Sequence, residues 1–293
     1  MPLFLLALLL LCSSAQSVFA KLYSEKTTGD KKAAPVVFNI YYSLIIAAGS
    51  FAIGGFSFNP SWKTLAFASI AAVATTVYNI AIVKAAQSGP YPIYMISALF
   101  GSILLPTAVG IAVFKDKLSF TVVSGAVVML ASIALLAGRK ESGRLERVFV
   151  RSCVALFISN GAYGTAFVLQ SRYVTTEPTN EDAEFVTLAF GLSAIASLVI
   201  LFLTMKKDAV GSLRLNLPAS IFTLASSGAS CAAQRLYLAV LTLLPPVIVM
   251  PVHNGGVLVI VSLFSLLFFK EKLSRLQWIG VALAAVSIVL MNL

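Results

Sequence analysis

The sequence predicts an all-α polytopic membrane protein, with ten transmembrane helices arranged as two inverted five-helix repeats. Three observations carry this reading. Of 293 residues, 59% are hydrophobic and only 11% charged, and the mean hydropathy is +0.95. A soluble domain is about 45–50% apolar and about 25% charged. The apolar residues fall in runs of roughly 20, the length that crosses a hydrocarbon core. Finally, the last two runs of each half share sequence. This composition excludes a soluble enzyme, a disordered chain and a fibrous protein.

The runs lie at roughly 2–21, 35–57, 62–86, 90–114 and 119–138, then 148–173, 184–205, 217–240, 244–269 and 274–292. They read as helices because they lack the alternation that marks a membrane strand. Connections are short, as at Lys115-Asp116-Lys117 and Lys270-Glu271-Lys272. The first run could pass for a signal peptide, since Val18-Phe19-Ala20 looks like a cleavage site. It has no basic segment ahead of it, however, and the repeat requires a helix at this place. We therefore expect it to remain as the first helix. Cys12, Cys153 and Cys231 stand singly inside apolar runs, without disulfide or metal-ligand spacing. They read as small buried residues, and no metal or cofactor is implied. Walker loops and dinucleotide glycine fingerprints are absent.

A shift of 155 residues lays the fourth and fifth runs over the ninth and tenth without a gap. Pro90 falls on Pro245, Gly101 on Gly256, Gly125 on Gly280 and Ser132 on Ser287. The block Phe114-Lys115-Asp116-Lys117-Leu118-Ser119 falls on Phe269-Lys270-Glu271-Lys272-Leu273-Ser274. Leu and Ile match by accident in apolar helices, but a charged block at a fixed distance from Pro and Gly does not. The chain then divides into residues 1–143 and 144–293, five helices each, in one integral transmembrane domain. Because five is odd, the second copy enters the membrane from the opposite side. Inverted repeats of this kind build secondary transporters, whose halves rock about a central site.

These residues resemble the drug/metabolite transporter superfamily in its EamA-type ten-helix form. Pro90, the turn at 115–119 and Gly125 carry the likeness in the first half. Pro245, the turn at 270–274 and Gly280 carry it in the second. The resemblance covers nearly the whole chain. It implies export or exchange of small metabolites, and a central cavity lined largely by helices 1, 3, 4, 6, 8 and 9. It does not name a substrate.

The formal charge is +10, from 21 Lys and Arg against 11 Asp and Glu. These cations sit in short connections, so they speak for membrane orientation and not for nucleic acid. Sixteen fall on the side of the odd-numbered connections. Lys63, Lys115, Lys117 and Arg172 fall on the other, and Arg235 lies within a helix. The positive-inside rule puts the sixteen in the cytoplasm and both termini outside. Ten-helix relatives are often described with both termini inside, so rule and resemblance conflict here. The expected location is the plasma (inner) membrane of a bacterial-type cell.

All acidic residues fall in connections or at helix ends. A proton-coupled exporter of cations usually needs a carboxylate at mid-membrane. The small multidrug resistance proteins, distant relatives, have such a Glu in helix 1, where this chain has Gln16. Arg235 is costly inside a membrane unless paired or wetted, and the sequence shows no intramembrane acid for it. A substrate anion is then one partner, and snorkelling to the headgroups is the competing reading. Lys21 and Lys84 are weaker candidates of the same kind. His253, the only histidine, lies in Pro251-Val252-His253-Asn254-Gly255-Gly256, where Pro and paired Gly could break the helix and line a site. It is either a substrate or proton contact or a packed core residue. Tyr78, Asn79, Tyr91 and Tyr94 form one further polar set, and Asn160, Tyr163 and Gln170 another. Gly161-Ala162-Tyr163-Gly164 and Gly54-Gly55 read as packing surfaces.

The expected substrate-binding residues are Arg235, His253, Asn254, Gln16, Tyr78, Asn79, Tyr94 and Tyr163. The expected activity is secondary transport of a small polar metabolite, preferably anionic or zwitterionic. Its partners are that solute, the bilayer, and H+ or a counter-substrate as the coupling species. A cationic-drug exporter is the alternative. A membrane enzyme would need clustered acids, several His or a nucleophile–base pair. A non-transporting subunit would expose a partner surface. A channel would favour rings of acids or carbonyls.

Overall fold

Each apolar run folds as a helix. The computed structural model describes residues 2–28, 33–88, 91–116, 120–136, 147–175, 181–268 and 275–291. Among these, the long helices are α1 (Pro2–Lys26), α2 (Ala34–Ile53), α3 (Trp62–Ser88), α4 (Tyr91–Phe114) and α5 (Phe120–Leu136). The second half supplies α6 (Arg147–Gln170), α7 (Asp182–Met205), α8 (Leu217–Leu243), α9 (Pro246–Phe268) and α10 (Arg275–Met291). Residues 117–119 and 269–274, in the two repeated turns, lie outside the described residues.

Two boundaries differ from the sequence reading for local reasons. The second helix stops at Ile53 because Gly55 and Phe56 take φ +70° and +60°, a left-handed turn that ends an α-helix. The sixth does not end at Gln170 but passes into a π-helical turn, Ser171–Thr175. Among the described residues, six stretches are long and apolar enough to cross a membrane: Pro2–Ala20, Ala34–Ile53, Trp62–Ala81, Ser97–Phe114, Arg147–Thr175 and Asp182–Ser212.

The helices pack mainly between the two halves of the chain. α1 lies along α8, α3 and α4 along α6, α2 along α7, and α5 along α10. Exchanging the halves turns the α1–α8 pair into the α6–α3 pair. The α5–α10 contact shows the same exchange at atomic detail. Ser132 Oγ donates to Gly280 O at 2.6 Å, and Ser287 Oγ donates to Gly125 O at 2.6 Å. These are two of the residue pairs that a shift of 155 aligns.

Polar bonds between connections show which ends lie together. Asn216 Nδ2 donates to Lys26 O and Tyr41 OH donates to Leu213 O, each at 2.9 Å. These join the first and seventh connections at the basic end. At the opposite end, Arg172 Nη2 lies 3.3 Å from Asp116 Oδ1, and the guanidinium sits over the Phe114 ring. There Glu181 Oε2 accepts from the Ser61 backbone N–H at 2.7 Å, beside the start of α3. That carboxylate sits where the helix dipole favours negative charge.

Close backbone approach is set by small residues. A Cβ on Gly101 would collide with the Phe157 backbone, and one on Gly161 would lie 2.8 Å from Gly101 O. A Cβ on Gly164 would lie 2.7 Å from Pro106 Cγ. The glycines of α4 and α6 thus let the two helices touch along their backbones, as the packing reading expected. Gly255 and Gly256 need correction. They do not break a helix, since α9 is continuous through Pro251. They make room for Met129 of α5 and Leu10 of α1.

Two predictions follow from these contacts. Gly101→Ala should lower the melting temperature in detergent, by about 1–3 kcal/mol of overpacking. Gly191→Ala, where nothing lies within 4 Å, should leave it unchanged or raise it slightly. The second concerns Glu181. Burial works against its carboxylate, but hydrogen bonds from Thr64 and Ser61, with Lys63 nearby, hold it below 4.5. The bond therefore stabilises the fold above pH 4.5, and this contribution is lost as pH falls through the lower folded value. Glu181→Gln should cost about 1 kcal/mol near neutral pH. A melting-temperature series against pH should show the gap between variant and parent closing in acid.

Candidate functional site

A cavity of about 300 Å³ lies where the two halves meet. Eight helices contribute to its wall. α1 supplies Leu9, Ser13, Gln16 and Ser17, α2 supplies Phe38, Asn39 and Tyr42, and α3 supplies Thr75, Tyr78 and Asn79. Ser102 comes from α4, Asn160, Tyr163 and Gly164 from α6, and Phe190 from α7. Ala233, Gln234 and Tyr237 come from α8, and His253, Asn254 and Val257 from α9. α5 and α10 contribute none among the described residues. Their reciprocal serine contact holds them together away from the cavity.

The wall is preorganised by side chains that bond one another. Tyr42 OH donates to Ser230 Oγ at 2.6 Å, Gln234 Nε2 donates to the same oxygen at 3.1 Å, and Tyr163 OH donates to Gln234 Oε1 at 2.8 Å. This chain ties α2, α8 and α6 together. Asn79 Nδ2 donates to Asn39 Oδ1 at 2.7 Å, and Asn39 Nδ2 donates to Ser197 Oγ at 2.7 Å. That chain ties α3, α2 and α7. Ser13 Oγ and His253 Nε2 share a hydrogen bond of 3.0 Å between α1 and α9. His253 also packs on the Tyr237 ring, with centroids 5.0 Å apart. Asn254 Nδ2 and Asn160 Nδ2 are turned to backbone oxygens of Met250 and Ala98.

The structure brings most of the sequence-derived candidates to one place. Gln16, Tyr78, Asn79, Tyr163, His253 and Asn254 all line the cavity, as does Asn160. The side chains of Tyr94, Tyr91, Lys21 and Lys84 lie outside the described residues. Gln170 is elsewhere, fully buried against Thr64. Arg235 is also placed elsewhere, because the helical rotation that turns Gln234 and Tyr237 inward turns Arg235 away. Its Nη1 is buried without a hydrogen-bond partner among the described residues. Asp182, at the start of α7, accepts a hydrogen bond from Thr175 Oγ1. The helix list needs widening too, since α2 and α7 share the lining.

Residues 150–293 match the sequence profile of the EamA-like transporter family. That stretch, the second part of the chain, is similar to the family, which is one of transporters. The long apolar helices support an integral membrane protein. No curated protein sequence matches the chain. A solved crystal structure of a protein aligns over 99% of it and 98% of its own length, with a TM-score of 0.76 and 15% identity. At that identity the likeness establishes a shared fold.

Several wall residues of this chain escape the sequence reading. Asn39 carried a usable signal, being a lone amide in an apolar helix. Tyr42, one turn on, shares its face. Ser13, Ser17, Thr75 and Ser102 carried none, because hydroxyls in membrane helices commonly bond their own backbone. Gln234 was passed over for its charged neighbour.

The polar chain makes a checkable prediction. Tyr163→Phe and Gln234→Leu should each cost about 1 kcal/mol. The double variant should cost less than the two together, because both remove one bond. Melting temperatures of the four proteins in detergent would test this.

Proposed function

We propose that this EamA-type protein is a secondary active transporter of a small polar solute, working by alternating access of two inverted five-helix repeats. Residues 1–143 and 144–293 are the repeats, and the cavity between them holds the solute. The observation that carries the reading is the cavity's position. Both halves supply its wall, so a rocking motion of one half against the other would open it to either face. The reciprocal Ser132–Gly280 and Ser287–Gly125 bonds support a two-fold axis for that motion. Gln16, Tyr78, Asn79, Tyr163, His253 and Asn254 are the proposed solute contacts. His253 is also the proposed group through which H+ could couple to transport, being the one imidazole in the chain. The basic connections place their end in the cytoplasm, and hence both termini outside.

Purified protein in liposomes should show saturable solute flux with counterflow, which a channel lacks. Ser17→Trp, which fills the cavity from α1, should abolish flux while the melting temperature stays within a few degrees. Non-saturable flux in the parent protein, or unimpaired flux in the variant, would remove this reading.

A further inference from the structure

The sequence favoured an anionic solute because Arg235 had no partner. The cavity suggests a different chemistry. Among its described lining residues there is no Asp, Glu, Lys or Arg. An ion placed there would lose its hydration without gaining a counter-charge, and burial of an unpaired charge is strongly unfavourable. Arg235 does not compensate, because it is not among the residues of the wall.

Two side-chain types dominate the wall instead. One is the carboxamide: Gln16, Asn39, Asn79, Asn160, Gln234 and Asn254. The other is the aromatic ring: Phe38, Tyr42, Tyr78, Tyr163, Phe190 and Tyr237. Phe38 and Tyr42 are stacked at 5.3 Å with an interplanar angle of 24°. Tyr42 and Phe190 meet edge to face at 6.1 Å. Asn39 and Gln234 bond neighbouring side chains through both N and O, which leaves Gln16, Asn79, Asn160 and Asn254 to present amide groups, a chemistry that matches the edge of a heterocyclic amide. Aromatic rings offer a face on which a flat heterocycle stacks. A volume of about 300 Å³ is at the low end of small-molecule sites, about 300–1,000 Å³.

We infer that the cavity takes an uncharged planar heterocycle with hydrogen-bonding edges, of the nucleobase or nucleoside class, and discriminates against charged isosteres. This rests on the transport reading only for the direction of use, since occupancy of the cavity can be measured without flux.

The test uses matched pairs that differ in charge: uracil against orotate, nicotinamide against nicotinate, uridine against UMP and adenosine against AMP. Each is offered to the full chain in detergent, and the melting temperature is read against concentration. A ligand that binds the folded state raises it by mass action. At least one neutral member should give a saturable shift, with its charged partner at least tenfold weaker. Tyr163→Leu and Asn79→Asp should weaken that shift at least tenfold and threefold respectively if the ring and amide contacts hold. Arg235→Lys should leave it unchanged. A charged member that binds as well as its neutral partner would overturn the inference. So would a panel in which no neutral member shifts the melting temperature. Neutral binding without counterflow in liposomes would leave the inference standing and remove the transport reading. Counterflow of an anion or cation without neutral binding would do the reverse.

Discussion

A bilayer gives helices no hydrophobic reason to leave the lipid for one another, so this structure depends on close contact and on polar bonds made between helices. Glycines in α4 and α6 remove the atoms that would keep the two backbones apart. Serine, asparagine, glutamine and tyrosine then bond from one helix to the next. Most of these bonds cross from the first half of the chain to the second, as Tyr42 does to Ser230 and Asn39 to Ser197. Buried hydrogen bonds between membrane helices average well under 2 kcal/mol each, so stability comes from their number and from the packing beneath them.

The same bonds shape the cavity. A polar wall in a dry interior is tolerated only where its groups have partners. Here the partners include other wall residues, so the fold itself sets the shape of the cavity. The charged residues near the membrane are handled differently. Asp116 pairs with Arg172 at the end opposite the basic connections. The described wall of the cavity carries neutral polarity alone.

The fold was legible in the sequence because its strongest signals are long and periodic. Ten apolar runs matched helices to within a few residues, except where a turn residue such as Gly55 decided the boundary. The sequence similarity between 90–138 and 245–293 has one structural counterpart, the reciprocal Ser132 and Ser287 bonds of α5 and α10. The cavity was legible only in part. His253, Asn254, Tyr163, Asn79 and Gln16 stand out as polar residues in apolar helices. The hydroxyls beside them do not, because a serine in a membrane helix looks the same whether it faces a cavity or its own backbone. Arg235 shows the other limit. Depth along a helix can be read from sequence, but the face it turns to depends on rotation about the helix axis. Here one residue separates Gln234, which lines the cavity, from Arg235, which does not. The Pro251–Gly256 segment misled for a similar reason, since a glycine looks the same whether it frees a backbone or admits a neighbour.

The bond between Ser13 and His253 spans 240 residues of chain. Its consequence falls on biogenesis. α1 precedes α8 and α9 in the chain, so Ser13 and Gln16 reach the bilayer before the helices that cover them are made, while Ser17 already bonds Ser13 O within its own helix. The substitutions that matter most at that stage lie in α1, far in sequence from the partners that would rescue them.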